Sequence, residues 1–380
     1  MEDVKRAIKT NKVYYCLDCG KCTAVCPVSK VNPRFSPRLT VQNTVLDHEE
    51  RVFKDENLLW SCLSCRMCSE RCPSDVHFDY FTRDLRIIAQ RDGAESPCSH
   101  SGALQSLMRI MTAPQLSQNR LEWITPDLRV AESGEYLYFV GCLPHYQEFF
   151  GYLGLDLLAI ARGTIKALNS LGINPVVMAE ERCCGHDLLW TGEVESFRRL
   201  AEYNIQQIAN TGAKQIITAC AECYRTLNDD FPRYLGKKDY QVWHLSQFLA
   251  EKFSQDGWKP KKRVQAITYH DPCRLGRFSG VFEEPRQLLN AIPGIELKEM
   301  PRNRHRSLCC GTVAWNNCNS FSKMIQAERL KEARTTGAEL LITACPKCQI
   351  HFKCAMLNQG IDDELKIEME DLAVLVAGAL

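Results

Sequence analysis

Cysteine constrains this chain more than any other residue type. There are 21 in 380 residues, and eighteen of them fall into sets that recur in pairs. The first pair is Cys16, Cys19, Cys22 and Cys26, then Cys62, Cys65, Cys68 and Cys72. Each run is followed by proline (Pro27, Pro73), and each member of the second lies 46 residues after its counterpart. The second pair is Cys142, Cys183, Cys184, Cys220 and Cys223, then Cys273, Cys309, Cys310, Cys345 and Cys348.

So many cysteines imply either disulfides or metal. The opening MEDVKRAIKT lacks the apolar core of an export signal, and no stretch approaches the roughly 18–20 apolar residues of a membrane span. Disulfides belong to exported chains, so closely spaced CxxC triplets here favour metal binding. The expected location is the cytoplasm, in an organism that shields such sites from oxygen, with docking at the inner face of a membrane left open. A formal net charge of +1 supplies no field to gather nucleic acid or anionic lipid.

The chain divides into four stretches. Residues 1–95 contain the two short cysteine runs, joined by a helix-like segment with Val45, Leu46, Val52, Phe53 and Leu58 among charges. A further helical pattern runs from Asp79 to Ile88. Residues 96–135, with scattered Ser, Pro and Gln, form a connector with one or two short helices. The remainder repeats: TGAKQIITACAEC (211–223) answers TGAELLITACPKC (336–348), giving units at 136–257 and 264–380. The WKPKKR run (258–263) between them reads as a solvated linker, since no aromatic residues interleave its charges for nucleic-acid binding. In each unit short apolar runs (136–140, 215–218, 265–269, 340–343) suit buried parallel strands. Helical periodicity covers Leu153–Leu171, Phe197–Ile208 and Phe321–Ala333, and the apolar tail Leu372–Leu380 reads as the end of an amphipathic helix. Cysteine follows two residues after three of these strands (Cys142, Cys220, Cys345), at the carboxyl edge where open α/β sheets form their ligand crevice. The fold class is α+β and multidomain: a mainly helical two-cluster ferredoxin domain, then two repeated α/β units with parallel sheets.

The spacing C-x2-C-x2-C-x3-C-P is a signature of [4Fe–4S] ligation, in which the fourth cysteine serves the other cluster. The expected sets are Cys16, Cys19, Cys22 and Cys72, and Cys62, Cys65, Cys68 and Cys26. Zinc also accepts four thiolates, but from two separated CxxC knuckles. The other ten cysteines obey C-x(35–40)-CC-x(34–35)-C-x2-C twice, each vicinal pair followed by Gly185 or Gly311. Glycine there permits positive φ and close approach to a bulky group. Five thiolates exceed the needs of zinc or of one cubane, which points to an unusual cluster.

These motifs, VGC (140–142), RCCGHD (182–187), ITACAEC (217–223), HDPCRLGR (270–277), LCCG (308–311) and ITACPKC (342–348), resemble the cysteine-rich CCG domain of heterodisulfide reductases. With the ferredoxin region ahead of it, the chain is similar to a fusion of two subunits of that enzyme, weakly only in 96–135. The resemblance implies a noncubane [4Fe–4S] cluster in each half, held by five cysteines, the two facing each other around a disulfide reduced one electron at a time. Some relatives serve instead as relays beside flavoproteins, quinone-linked membrane subunits or aromatic-ring reductases. The chain departs from the pattern in its gap of 40 residues between Cys142 and Cys183, its gap of 34 between Cys310 and Cys345, and GTVAWNNC after the second pair.

Other residues carry weaker signals. Cys98 reads as a small buried apolar side chain. Cys318 and Cys354 read in the same way, with a spare ligand or thiol near the second set as the alternative. His145, His186, His270 and His351 flank the motifs, as proton donors to a leaving thiolate, as partners of a cluster sulfur, or simply as loop caps. Arg302, Arg304, His305 and Arg306 form either a solvated loop or an entrance for an anionic substrate or acidic partner. No GxGxxG or Walker loop is present, so neither flavin nor NAD is expected on this chain. Electrons must come from a partner subunit, expected to contain flavin, with a terminal reductase or membrane cytochrome as a further partner in a hetero-oligomeric complex. No nucleic-acid partner is expected.

Overall fold

Four apolar runs become parallel strands because each is buried on both faces and short enough to end at a turn carrying cysteine. We describe the chain from a computed structural model over residues 2–236 and 238–380. Two units form. One contains residues 2–110, Gly185–Phe197 and Leu308–Arg329; the other contains Met111–Cys184, Arg198–Ser307 and Leu330–Leu380. The stretches that follow both vicinal cysteine pairs therefore belong with the amino-terminal region.

In the first unit the described residues form helices and turns. The helix Glu2–Thr10 buries Val4, Ala7 and Ile8 against the long helix Phe78–Arg91, whose buried face includes Phe81, Leu85 and Ile88. Asn11 fastens the two, its amide donating to Asp84 at 2.8 Å. The joint between the short cysteine runs is helical, as expected: Pro37–Val45, Glu49–Lys54 and Glu56–Leu59. Ser36 starts the first of these by accepting from Leu39 N at 3.3 Å, with Pro37 pre-set in the first turn. The connector contributes the helix Ala103–Ile110.

The second unit contains two sheets of one topology. β1 (Tyr136–Tyr138), β2 (Gln215–Thr218) and β3 (Gln241–His244) lie in the order β1-β2-β3. β4 (Gln265–His270), β5 (Ile295–Leu297), β6 (Leu340–Thr343) and β7 (Glu368–Asp371) lie in the order β5-β4-β6-β7. All pairs are parallel, with Ile216 opposite Val242 and Tyr269 opposite Ile342. In the first sheet the counterpart of β5 is reduced to single bridges from Val176 to Ala131 and Leu137. Leu137, Ile216, Ile217, Ile267, Leu341 and Ile342 are fully buried, each contributing roughly 1.5–3 kcal/mol by leaving water.

The helical pattern from Leu153 resolves as Leu158–Ser170, later than the periodicity indicates. Gly154 adopts a left-handed φ of 73°, and Asp156 Oδ1 accepts from Ala159 N at 3.0 Å to begin the helix. That helix packs on the terminal helix Leu372–Gly378, so the two repeats share one core. At Gly163 the helices approach so closely that a Cβ would lie 2.8 Å from Ala373 O. The 258–263 linker is tied down at Lys261 N, which donates to Ala379 O at 2.8 Å. No helix among the described residues is long and apolar enough to cross a membrane.

Candidate metal centres

The two short cysteine loops share an unusual backbone. In the first, Asp18 and Gly20 have φ of 51° and 73°; in the second, Ser64 and Arg66 have 46° and 65°. These positions correspond at the 46-residue offset, and in each loop one cysteine of negative φ, Cys19 or Cys65, lies between them. Such a chain turns successive N–H groups inward, forming a nest suited to an anionic group. Ser64 N donates to Cys62 Sγ at 3.3 Å and Val76 N to Cys72 Sγ at 3.4 Å, the kind of bond that stabilises sulfur carrying negative charge. Pro27 opens the helix Pro27–Val31 and so turns the chain away after Cys26.

The loops border two recesses. One, partly open to solvent, is lined by Cys16, Cys19, Cys22, Cys68 and Cys72. The other is lined by Cys26, Cys62, Cys65 and Cys68. The fourth cysteine of each run thus faces the recess of the other run. Burial pushes the thiols of Cys22, Cys62 and Cys68 upward, and that of Cys26 up to about 12. At Cys62 the guanidinium of Arg86 pulls in the opposite direction. Bare thiolates would be costly here, whereas a bound cation offsets that cost directly. Four or more sulfurs around each recess, with backbone N–H groups donating to sulfur, fit an iron–sulfur centre. Cys19 is exposed while Cys62, Cys65 and Cys68 are buried, so one recess is outer and the other inner.

In the second unit the first set of five gathers at the carboxyl ends of β1 and β2. Cys142 begins the helix Leu143–Phe150, and Cys220 begins Ala221–Arg225, which carries Cys223. Cys223 and Cys184 are 3.6 Å apart, sulfur to sulfur. Gly141, at φ 69°, leaves room for Cys223, because a Cβ there would lie 2.8 Å from its sulfur. The turn before Cys142 is braced by Glu181, whose carboxylate accepts from Val140 N at 3.0 Å and Gly141 N at 2.7 Å, and by Arg120, which donates to Gly141 O. Burial raises the Glu181 carboxyl to about 7. Asn204 bonds the backbone carbonyls of Arg182 and Cys183, fixing the vicinal pair.

The repeats also meet at equivalent positions. Hydrogen bonds from Cys183 and Cys223 lower the Cys184 thiol, and bonds from Cys223 and Cys345 lower Cys220 well below the usual thiol range. Cys223 and Cys345, as the donors, are raised well above it. Cys220 and Cys345 are counterparts in the repeat, so sulfurs of both halves adjoin. Beside them Lys347, buried, pairs with Glu222 at 3.0 Å. These two residues also occupy equivalent positions and have diverged to opposite charge. Cys273 and Cys348 lie in this unit too. Cys309 and Cys310 lie in the first unit, where Gly311 at φ 83° would place a Cβ 2.9 Å from Ser322 O, and Gln326 donates to Cys310 O at 3.2 Å.

Several lesser expectations change. Cys98 is exposed rather than buried, because the segment ahead of Ser99 runs along the surface. Cys318 is exposed and Cys354 half-buried. His186, His270 and His351 are buried, and burial holds His145 neutral by lowering it to about 4. The basic run is engaged by acids: Arg302 with Glu332, and Arg304 with Glu283 and Glu299, while His305 lies 4.3 Å from the Phe282 ring. Arg86, Arg120, Glu181, Glu222 and Lys347 are the site residues that motif reading misses. Only the last three lie beside a cysteine motif. Arg86 and Arg120 become visible once the chain is folded.

Residues 12–76 match the 4Fe-4S dicluster domain family, and residues 136–228 and 267–353 each match the cysteine-rich domain family CCG. The chain is 31% identical to a subunit of the dihydromethanophenazine:CoB--CoM heterodisulfide reductase of Methanosarcina acetivorans, over 98% of this chain and 95% of the relative. It is 28% identical to a subunit of the fumarate reductase (CoM/CoB) of Methanothermobacter marburgensis, over 93% of this chain and 70% of that one. It is 25% identical to the EtfAB:quinone oxidoreductase of Syntrophomonas wolfei, over 88% and 54% respectively. The chain belongs to the heterodisulfide reductase family, as an iron–sulfur oxidoreductase subunit with a 4Fe-4S dicluster domain ahead of two CCG domains.

Proposed function

We propose that this chain reduces a disulfide, or a related two-electron acceptor, with electrons received singly from a partner subunit. Cys16, Cys19, Cys22 and Cys72, and Cys62, Cys65, Cys68 and Cys26, would hold two cubane [4Fe–4S] clusters. Cys142, Cys183, Cys184, Cys220 and Cys223, and Cys273, Cys309, Cys310, Cys345 and Cys348, would hold two noncubane ones. The observation that carries this reading is the buried group of sulfurs from Cys184, Cys223, Cys220 and Cys345, drawn from both repeats. A simple carrier has no use for a fifth thiolate in each set. The chemistry such a centre supplies is one-electron exchange with sulfur, which avoids a free thiyl radical. One disulfide takes two electrons and two protons and leaves as two thiols. His145, held neutral, is a poor proton source. The exposed loop at Cys19 suits reception of electrons from a partner, with flavin as the partner's expected cofactor, in the cytoplasm or at the membrane face.

A second reading, as a relay without its own substrate, is favoured by one observation: the same arrangement extends over 88% of this chain into a relative named EtfAB:quinone oxidoreductase. Oxygen-free purification with iron, zinc and sulfide analysis comes first, and about sixteen irons are expected. Paramagnetic resonance of the oxidised protein, with and without added thiol or disulfide, separates the two readings. A new or altered cluster signal supports disulfide chemistry; no change under any thiol or disulfide leaves the relay.

A further inference from the structure

The helix Phe78–Arg91 carries one residue that the cysteine pattern does not explain. Arg86 is fully buried. Its guanidinium donates to Leu59 O at 3.1 Å, Trp60 O at 3.2 Å and Cys62 O at 2.7 Å, so it holds the start of the inner cysteine loop. A further bond, 3.1 Å long, reaches Trp190 O. Trp190 lies six residues after Cys184, in the helix His186–Thr191, and its ring stacks on Tyr80 at 6.0 Å. Gly192 follows at φ 98°, where a Cβ would lie 2.5 Å from Arg86 O. The counterpart stretch of the second repeat reaches the same place: Asn317, seven residues after Cys310, donates to Trp60 O at 3.2 Å. The inner loop is therefore bonded to the segments that follow both vicinal pairs. The outer recess has a different electrostatic setting: its Arg38 is about two-fifths exposed and sits 3.7 Å from Asp18.

We propose that Arg86 is the positioning residue of the inner ferredoxin-type centre: it raises that centre's reduction potential and clamps its loop to the segment after the first vicinal pair, making it the centre from which electrons leave the ferredoxin region. A reduced centre carries one more negative charge. A buried cation beside it favours that form, and in a water-poor site the effect is not screened. An exposed cation that faces a carboxylate does much less. Electrons then run downhill from the outer recess to the inner one. Four carbonyls gathered on one planar fork also explain why arginine, rather than lysine, stands here.

This inference rests on the iron–sulfur reading above, and its test separates the two. The full chain is loaded with iron and sulfide without oxygen, as wild type, Arg86→Met and Arg86→Lys. Wild type that takes up zinc in place of iron overturns the underlying reading, and is assessed before any variant. Redox titration followed by paramagnetic resonance then reads each centre. In Arg86→Met one ferredoxin-type signal is expected to move to lower potential while the other stays. In Arg86→Lys the charge remains, so the potential stays near wild type. Its clamp is weakened, so freeze-quench after rapid reduction is expected to show the later signals rising at least tenfold more slowly. A loaded Arg86→Met with both potentials unchanged overturns the proposal. If Arg86→Met fails to take up iron, Arg86→Lys decides: transfer at the wild-type rate overturns the proposal, and slowed transfer upholds it.

Discussion

At the scale of single residues, the site depends on atoms that are missing as much as on atoms present. Gly141 is required twice over, once by its φ of 69° and once by the sulfur 2.8 Å from where a Cβ would be. Gly141→Ala is expected to cost about 1–2 kcal/mol in backbone strain alone. It should also displace Cys223, and iron analysis would show about four fewer irons per chain if the first set of five loses its cluster. The Glu222–Lys347 pair makes the opposite kind of demand. Lys347 is about 3% exposed, so Lys347→Met removes a buried cation from beside the Glu222 carboxylate. The expected loss is about 3 kcal/mol or more in chemical denaturation, while Glu222→Gln combined with Lys347→Met recovers most of it. Equal losses in the single and double variants would show that the pair contributes nothing beyond packing.

At the scale of elements, the regular repeats were readable and the charged edges were not. The four apolar strands follow from runs such as QIIT and LLIT, whose burial on both faces leaves no polar alternation to hide them. β3, β5 and β7 escape the same reading. β7 is Glu-Met-Glu-Asp, an edge strand whose side chains partly face water, and β5 is only three residues long. They form because a neighbour offers a ladder of bonds, which is a tertiary cause. The helix pair across the repeats is also tertiary. Gly163→Val on the helix Leu158–Ser170 would push against Ala373 O, and a loss of about 1–3 kcal/mol is expected by denaturation. A larger effect on the sheet of the second repeat than on iron content would mark the contact as structural.

At the scale of the whole molecule, two kinds of stability sit in one chain. The sheets of the second unit are closed by apolar burial, with Leu137, Ile216, Ile267 and Leu341 fully buried. The cysteine loops of the first unit have left-handed residues and thiols raised by burial, so their order is expected to depend on what the sulfurs hold. Removing iron with a chelator should raise hydrogen exchange across residues 12–76 while β2, β4 and β6 keep their protection. Uniform loss of protection in both units would show that the clusters support the entire fold.

The chemistry and its repetition were already present in the order of residues. Thiolates at these spacings, followed by proline or glycine, have few other uses, and spacing is written in the chain directly. The alternation of strand and helix was present there too, because burial leaves its period in the residue types. Folding settled the rest: which sulfurs adjoin, that Cys220 and Cys345 meet across the repeat, and that Glu222 and Lys347 lock beside them. It also gave Arg86, with no motif around it, the task of binding the inner loop to a segment about a hundred residues away, while Asn317 reaches the same loop from more than two hundred. The reason is physical: ligand identity is local, but charge, close approach and shared carbonyls depend on distances that only folding creates.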